Sequence, residues 1–339
     1  MEQGVKRLLL AAILLALGAM NAAAEAPRAR LAGGEVYTLP DWFKPSLLEI
    51  PQELKEAAAQ NRHLLLFLHL DECPYCARLL AENFRDGSNK AFMQEHFDVI
   101  ALNVRGASEV EWVDGKRYTE RQLSVMLKVF ATPTLIFLDA GGRVVLKLNG
   151  YRHPRPFRQA LAYVHGRHYA RETLAEYAAR QPAEGSYDFR RHPLFTTATD
   201  FAGYREPLAI VFEDRNCADC EEWHRWVFNR PDVFAELKNF RVVRLDAASG
   251  QPIVDLAGRR TSPRAWAKAL NLTYRPGIAL FNEGEVRAIV DGMLYKFHFR
   301  ELLRYVSGRH YQGGTTSRAY LAARRDELLR QGITIDFSR

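Results

Sequence analysis

The sequence is poor in several features that define common classes of protein. Its 339 residues contain only four cysteines, and beyond the first twenty or so residues no apolar run approaches the roughly eighteen needed to span a membrane. The histidines show no ligand spacing, and no serine or acidic dyad stands out. The formal net charge of +7 is modest for this length, and basic residues are scattered among acidic ones. Nucleic acid is therefore not an expected partner. The length of the chain indicates two globular domains of ordinary size.

The N-terminus has the three-part pattern of a secretory signal peptide. Lys6 and Arg7 precede an apolar stretch over residues 8–20, and alanines at 22–24 lie before Glu25. We expect cleavage after Ala24, a periplasmic location and no stable membrane insertion after cleavage. An uncleaved anchor is the alternative. No cysteine lies near the cleavage point, which excludes a bacterial lipoprotein.

All four cysteines belong to two C-x-x-C pairs, Cys73 with Cys76 and Cys217 with Cys220. A disulfide within such a pair closes a loop of only a few residues and constrains the unfolded chain little, so a structural staple is a weak interpretation. A zinc ribbon needs its pairs about fifteen to twenty residues apart, whereas 217 − 73 = 144 separates these. Metal binding would require two domains to present their pairs to each other, and we predict no metal site.

The distance between the pairs is close to the period of an internal repeat. The segment ATPTLIFL at 131–138 recurs as YRPGIALF at 274–281, and YVHGRHY at 163–169 recurs as YVSGRHY at 305–311. Between them, NGY at 149–151 is echoed by DGM at 291–293. Landmarks in the same order at nearly the same offset indicate two copies of one domain.

Hydrophobic periodicity gives each copy the element order α-β-α-β-α-β-β-α. In the first copy it predicts strands at 64–68, 97–102, 134–138 and 144–148, with helices at 51–60, from Cys73 onward, and at 157–164. In the second it predicts strands at 208–212 and 240–245, a hairpin turn at 282–284, and helices at 263–270 and 297–305. Added helices are predicted at 171–180 and 317–329. The predicted boundaries are a signal peptide at 1–24, an extension at 25–46, a first domain at 47–180, a linker at 181–191, a second domain at 192–331 and a tail at 332–339.

Each copy resembles a thioredoxin-fold domain, an α/β unit in which helices flank a central mixed sheet. The matching residues are the two cysteine pairs, each after a buried strand and at a helix start, with Pro133 and Pro276 at the start of a later strand. The signal peptide, the segment LEIPQEL and the combination of CPYC with TPT are most similar to exported thioredoxin-like proteins of the bacterial sulfur-oxidation type. The resemblance implies two tandem thioredoxin-fold domains and thiol–disulfide oxidoreductase activity.

The spacing of each pair suits this chemistry. The N-terminus of a helix offers free N–H groups and a positive dipole end to Cys73, which is the expected attacking sulfur. Cys73 would form a mixed disulfide with the substrate, and Cys76, one turn further on, would resolve it. Cys217 and Cys220 are expected to take the same roles in the second copy. No cofactor is expected beyond these redox-active pairs.

The resemblance also assigns a substrate-binding role to the residues around the two prolines. In the family this proline is cis, and the residue before it offers backbone groups to an extended substrate. Carried over, these residues are Thr132 with Pro133 and Arg275 with Pro276.

Both copies depart from thioredoxin at the buried acid that helps to deprotonate the second cysteine. Phe67 and Val211 occupy its position, so proton transfer to Cys76 must use another group or water. His69 is close enough in sequence to be considered, although a lone histidine at a strand end more often has a structural role.

The copies also differ beside their sulfurs. The first has Tyr75 between its cysteines and Thr132 before its proline, whereas the second has Asp219 and Arg275 at these places. Arg275 would stabilise a thiolate at Cys217 and Asp219 would oppose it. We expect the first copy to handle protein substrates and the second to act as a slower relay or docking domain.

The direction of electron flow cannot be read from these residues, since about 1.4 kcal/mol shifts a potential by roughly 30 mV. The family resemblance favours a reductase that acts on protein thiols and disulfides and is re-reduced by an inner-membrane thiol carrier. A disulfide isomerase or chaperone is one alternative. A module whose thiols bind a partner, copper or zinc is another.

Overall fold

The computed structural model describes residues 29–129, 131–181 and 187–337. The predicted signal peptide lies outside these residues. Two α/β units follow each other along the chain, and each has a mixed sheet with helices packed on it. The predicted fold class is confirmed.

The first unit follows the predicted order, with short additional strands and with two helices, at 74–79 and 88–96, where one was predicted. Its strands are β1 (Leu31–Ala32), β2 (His63–His69), β3 (Phe97–Asn103), β4 (Glu109–Glu111), β5 (Arg117–Thr119), β6 (Thr134–Leu138) and β7 (Val144–Asn149). Its helices are α1 (Ile50–Ala59), α2 (Pro74–Leu79), α3 (Ser88–His96), α4 (Glu120–Met126), α5 (Pro154–His165) and α6 (Leu174–Ala179). A π-helical turn at Leu80–Arg85 continues α2, and a 3₁₀ turn at His168–Ala170 precedes α6.

Strand β2 lies inside the main sheet of the first unit, whose order is β3-β2-β6-β7. It is parallel to β3 and antiparallel to β6, and all seven of its residues are buried. Leu65 and Phe67 belong to the core on one face of the sheet and Leu64 and Leu66 to the core on the other. Because both faces are covered, the strand has a continuous apolar sequence, as predicted.

The second unit repeats this plan. Its strands are β8 (Phe195–Thr196), β9 (Leu208–Glu213), β10 (Arg241–Asp246), β11 (Ile253–Val254), β12 (Arg260–Thr261), β13 (Gly277–Asn282), β14 (Glu285–Val290) and β15 (Ile335–Asp336). Its helices are α7 (Ala218–Trp223), α8 (Pro231–Leu237), α9 (Pro263–Ala269), α10 (Lys296–Ser307) and α11 (Ser317–Arg330). A π-helical turn at His224–Phe228 continues α7. The main sheet has the order β14-β13-β9-β10-β8.

The two units pack against each other through corresponding faces. Residues of both, among them Phe84 and Trp223, belong to one continuous apolar core. Tyr151 forms an antiparallel backbone bridge with Met293, and these two residues hold equivalent places in the repeat. Equivalent residues thus meet across a pseudo-twofold axis, as in the isologous interface of a symmetric dimer.

The close approach at this axis explains the repeated glycines of the NGY and DGM segments. A Cβ atom at Gly292 would lie 2.5 Å from the carbonyl oxygen of Asn149. Its counterpart Gly150 has a φ of +76°, which favours glycine. Both glycines are therefore required by backbone geometry.

The two ends of the described chain meet as well. β1, in the predicted N-terminal extension, pairs in parallel with β15, in the predicted C-terminal tail. Phe337, just after β15, stacks on His298 of α10 with ring centroids 4.9 Å apart. Over the residues that the structure describes, no helix is both long enough and apolar enough to cross a membrane.

Candidate active site

The first cysteine pair lies where β2 passes into α2. Cys73 is the N-cap residue of α2, and its Sγ accepts from the backbone N–H of Cys76 at 3.2 Å. The two residues are joined by a disulfide. Cys73 is 6% exposed, whereas Cys76 is fully buried. This difference agrees with the predicted attack by Cys73 and resolution by Cys76, roles that stay predictions.

The second pair occupies the same place between β9 and α7. Cys217 is the N-cap residue of α7 and forms a disulfide with Cys220. Cys217 is 3% exposed and Cys220 fully buried. The backbone N–H of Cys217 donates to the carbonyl oxygen of Asp214 at 3.1 Å, which closes the loop that leads into the helix.

The structure brings the first predicted substrate-binding loop against the first pair. The peptide bonds before Pro133 and Pro276 are both cis, as the resemblance implied. The Sγ of Cys73 lies 3.6 Å from the carbonyl oxygen of Thr132 and 3.4 Å from its hydroxyl oxygen. Thr132 is therefore adjacent to the sulfur at which a substrate would be attached.

Arg275, before the second cis proline, has a partner that the sequence did not indicate. Its Nε donates to the Asp214 carboxylate at 3.1 Å, and its Nη1 donates to the carbonyl oxygen of Tyr274 at 2.9 Å. The charge of Arg275 is thus shared with Asp214 instead of acting on Cys217 alone, because the carboxylate competes for it.

The third residue of each C-x-x-C motif is buried between the domains. The Tyr75 ring stacks on Tyr295 at 4.4 Å, and its hydroxyl oxygen lies 3.1 Å from Nδ1 of His298. In the second motif, Asp219 lies 3.4 Å from Nε2 of His153. His153 and Tyr295 hold equivalent places in the repeat, so the two contacts are related by the pseudo-twofold axis. Burial lowers the pKa of His298 to about 4.

An ion pair on the axis joins the two helices that begin at the cysteine pairs. The guanidinium of Arg78 donates to both carboxylate oxygens of Glu222, at 3.0 and 3.2 Å. Burial opposes ionisation of Glu222, but its contacts with His153 and Arg78 outweigh burial and lower its pKa to about 2. At Asp219 burial dominates over the neighbouring His153 and raises the pKa to about 6.

A buried carboxylate beside the second pair was missed by the sequence analysis. Glu213 is fully buried at the end of β9, and its Oε1 lies 2.6 Å from Nε2 of His224. The hydroxyl of Tyr187, from the predicted linker, donates to Oε2 of Glu213 at 3.1 Å. Tyr187 also packs in one apolar cluster with Cys217 and Cys220. The available signal was position, because Glu213 precedes its first cysteine by the same four residues as His69.

His69 holds the corresponding place in the first domain. Its Nδ1 lies 2.8 Å from the hydroxyl oxygen of Tyr37, which donates to the carbonyl oxygen of Leu70 at 2.7 Å. Burial lowers the pKa of His69, which favours the neutral ring. The predicted N-terminal extension thus places a tyrosine next to the first site, as the predicted linker does at the second.

Each half of the chain therefore combines a mixed α/β sheet, a C-x-x-C pair at a helix start and a cis proline, which together define a thioredoxin-like domain. The family model described as "Thioredoxin-like domain" matches residues 50–165 and 194–307. The chain belongs to this family, and its two cysteine pairs support thiol–disulfide oxidoreductase activity.

Three of the solved structures similar to the chain each match about one domain of it. A thioredoxin-fold protein from Helicobacter pylori is 20% identical, with 34% of this chain and 82% of that chain covered and a TM-score of 0.32. A thioredoxin from Thermus thermophilus is 26% identical, with 34% and 83% covered and a TM-score of 0.28. A disulphide isomerase from Xylella fastidiosa is 16% identical, with 33% and 79% covered and a TM-score of 0.24. At these TM-scores the family assignment depends on the family model. The search of curated proteins found no match.

Proposed function

We propose that this protein is an exported disulfide reductase that acts on protein substrates by thiol–disulfide exchange at its C-x-x-C pairs. The supporting observation is the graded exposure within each pair: the first cysteine, at a helix N-terminus, keeps a small exposed fraction, and the second is fully buried behind it. As a thiolate, the first cysteine can attack a substrate disulfide from outside, and in the oxidised pair its sulfur can be attacked by an external thiolate. The second cysteine can react only with its neighbour.

The reaction begins with the reduced pair. The Cys73 thiolate attacks one sulfur of a substrate disulfide, forms a mixed disulfide and releases the other substrate sulfur as a thiolate. Cys76 then loses its proton and attacks Cys73, which re-forms the internal disulfide and releases the second substrate thiol. Two electrons pass to the substrate, and its two sulfurs take up two protons. An external dithiol must return the two electrons, and an inner-membrane thiol carrier is the proposed donor.

Export is the second part of the proposal. The charged, apolar and small-residue segments at 1–24 support it. Expression of the full chain in a bacterium, cell fractionation and intact-mass measurement provide the test. We expect a periplasmic protein whose intact mass is that of the chain from Glu25 onward. A protein that retains Met1 would contradict cleavage.

The direction of electron flow is tested by the reduction potential of each pair. Potentials are measured against glutathione or dithiothreitol buffers in variants that keep one pair, Cys73→Ser/Cys76→Ser and Cys217→Ser/Cys220→Ser. A reductase requires at least one pair near or below about −230 mV, in the range of thioredoxins and glutaredoxins. Potentials near those of protein disulfide isomerase, about −180 mV, together with recovery of scrambled ribonuclease, would favour the isomerase instead.

A further inference from the structure

The second cysteine pair opens into a cleft that both domains build. The cleft encloses about 1040 Å³ and is lined by Cys217 and by Arg275 beside the cis proline of the second domain. Its opposite wall comes from the first domain, from the start of α5 and from the segment that carries α6. A cavity of this size accommodates a small molecule or a short stretch of extended chain.

The charged residues of the cleft are predominantly basic. Six arginine or lysine residues line it, against four aspartate or glutamate residues. Three of the basic residues have carboxylate partners. These pairs are Arg275 with Asp214, Arg180 with Glu172, and Lys268 with Glu176. The last pair, at 2.7 Å, crosses from the second domain to the first.

Among the basic lining residues, Arg171 and Arg264 lie on opposite walls and have no carboxylate partner within the described ranges. Arg171 comes from the first domain, where only its backbone N–H is hydrogen-bonded, to the carbonyl oxygen of His168. Arg264 comes from α9 of the second domain, and its Nε donates at 3.0 Å to the carbonyl oxygen of Ala248. Both side chains therefore keep a full positive charge toward the cleft, and both are exposed.

The fourth acidic residue of the lining does not cancel this charge fully. Asp219 is buried at the base of the cleft beside His153. Burial raises its pKa to about 6, which leaves part of its population neutral near pH 6.

We propose that the cleft at Cys217 binds an anionic disulfide, a short peptide whose carboxylates contact Arg171 and Arg264 while its disulfide reaches Cys217. This inference depends on the proposed function, because it assigns a substrate class to one of the two reactive pairs. The chemistry is the exchange described above. Cys217 takes one half of the substrate as a mixed disulfide, Cys220 releases it, and the protein dithiol becomes a disulfide while two substrate thiols form.

The shape of the cleft limits how the disulfide is presented. Its second wall belongs to the first domain, so a broad folded surface meets that domain before it reaches Cys217. A free peptide disulfide and an extended acidic segment of a protein both fit this description. They share carboxylates that flank the sulfurs.

The test uses the full chain with Cys73→Ser/Cys76→Ser, so that only the second pair reacts. The reduced protein is mixed with glutathione disulfide, which is anionic, with cystamine, which is cationic, or with bis(2-hydroxyethyl) disulfide, which is neutral. Second-order rate constants are measured by quenching and thiol counting. Each rate constant is divided by the rate constant for reaction of the same disulfide with a small dithiol. We expect this ratio to be highest for glutathione disulfide and its preference to shrink as ionic strength rises.

Variants locate the preference. Arg171→Ala/Arg264→Ala should lower the ratio of the glutathione disulfide rate to the neutral disulfide rate about three- to tenfold. Arg171→Glu/Arg264→Glu should shift the preference toward cystamine. Arg318→Ala, an exposed arginine outside the cleft, is the matched control and should leave the ratio unchanged.

A model peptide whose disulfide is flanked by aspartates separates the two substrate sources, a free small disulfide and an extended protein segment. A rate above that of glutathione disulfide identifies an extended protein segment, and a lower rate identifies a free small disulfide.

The outcomes distinguish this inference from the proposed function. If all three disulfides react but the arginine variants leave their ratios unchanged, the anionic substrate class is wrong and the oxidoreductase activity stands. If the second pair reacts with no disulfide while the first pair does, the inference fails and the reaction belongs to the first pair alone. Circular dichroism of each variant confirms that it folds.

Discussion

At the scale of single residues, the two sites are distinguished by what lies next to their sulfurs. The first pair has the neutral Thr132 near Cys73 and no buried acid at the expected position. The second has a buried carboxylate, Glu213, in contact with His224 and linked through Tyr187 to the cluster that contains the cysteines. Proton transfer therefore has different potential partners at the two sites.

The roles of the first pair give one prediction at this scale. Cys76→Ser should still attack a protein disulfide and then remain attached to it, because the residue that resolves the mixed disulfide is missing. Cys73→Ser should lose turnover and trap nothing. Non-reducing gels followed by mass spectrometry detect the adducts. Adducts with Cys73→Ser and none with Cys76→Ser would reverse the assignment of roles.

Asp219 gives a prediction about stability and pH. Its folded-state pKa of about 6 lies above the ordinary value of 3.8, so the folded protein binds more protons than the unfolded chain between about pH 4 and 6. Stability therefore falls as pH rises through this window. Asp219→Asn removes the ionisation and should be more stable than the parent by about 1–3 kcal/mol at pH 7.5, with the difference vanishing below about pH 4.

Urea unfolding of parent and Asp219→Asn at pH 4 and 7.5 measures this effect. Destabilisation of the variant at pH 7.5 would mean that the attraction between Asp219 and His153 exceeds the cost of burying the charge. The two explanations predict opposite signs for the change in the free energy of unfolding, so the experiment separates them.

At the scale of secondary-structure elements, the helices α2 and α7 contact each other across the pseudo-twofold axis. Arg78 and Glu222, at equivalent positions, form a bidentate pair with 11% and 21% of their side chains exposed. The same position of the repeat thus carries a positive charge in the first domain and a negative charge in the second. This favours contact between a first and a second domain over contact between two first domains or two second domains.

A double-mutant cycle tests this ion pair. Arg78→Ala, Glu222→Ala and the double variant should show a coupling of about 1–3 kcal/mol in the free energy of unfolding, because the pair is bidentate and largely buried. The exposed pair of Arg117 and Glu109, 3.4 Å apart, is the control and should couple by less than about 0.5 kcal/mol. Equal coupling at the two pairs would show that the axis pair does not hold the domains together.

At the scale of the whole molecule, one chain forms an internal dimer whose two reactive sites face different surroundings. The ring of Phe337, just after the ribbon of β1 and β15, packs on α10 of the second domain. The cleft with its basic lining opens at the second pair. This asymmetry arises from segments outside the repeats, such as β1 and β15, and from repeat positions at which the two copies differ, such as Thr132 and Arg275.

A division of labour between the pairs is the prediction at this scale. Cys73→Ser/Cys76→Ser should reduce turnover of a protein disulfide such as insulin more than Cys217→Ser/Cys220→Ser does, since the first site has the neutral loop at Thr132 and the second has the charged Arg275. We expect at least a fivefold difference, about 1 kcal/mol in activation free energy. Equal losses from the two variants would mean that the sites are equivalent.

Much of the fold could be read from the sequence because it depends on local patterns. The apolar run at 64–68 predicts its strand, and the predicted strand at 134–138 has the bounds that the structure gives to β6. The two cysteine pairs and the two prolines likewise lie in short segments whose chemistry requires their spacing. Because the sequence repeats, the elements predicted for the first domain also predict those of the second.

Only the tertiary structure determines the contacts between residues that lie far apart in sequence. The pairing of Arg78 with Glu222 and the burial of Tyr75 against Tyr295 require a particular orientation of the two domains, which no period of 2 or 3.6 residues encodes. The same holds for Tyr187, predicted to lie in a linker but packed against Cys217 and Cys220. Local sequence determines which residues form each helix and strand, whereas the faces that meet are set by the shape and charge of both domains at once.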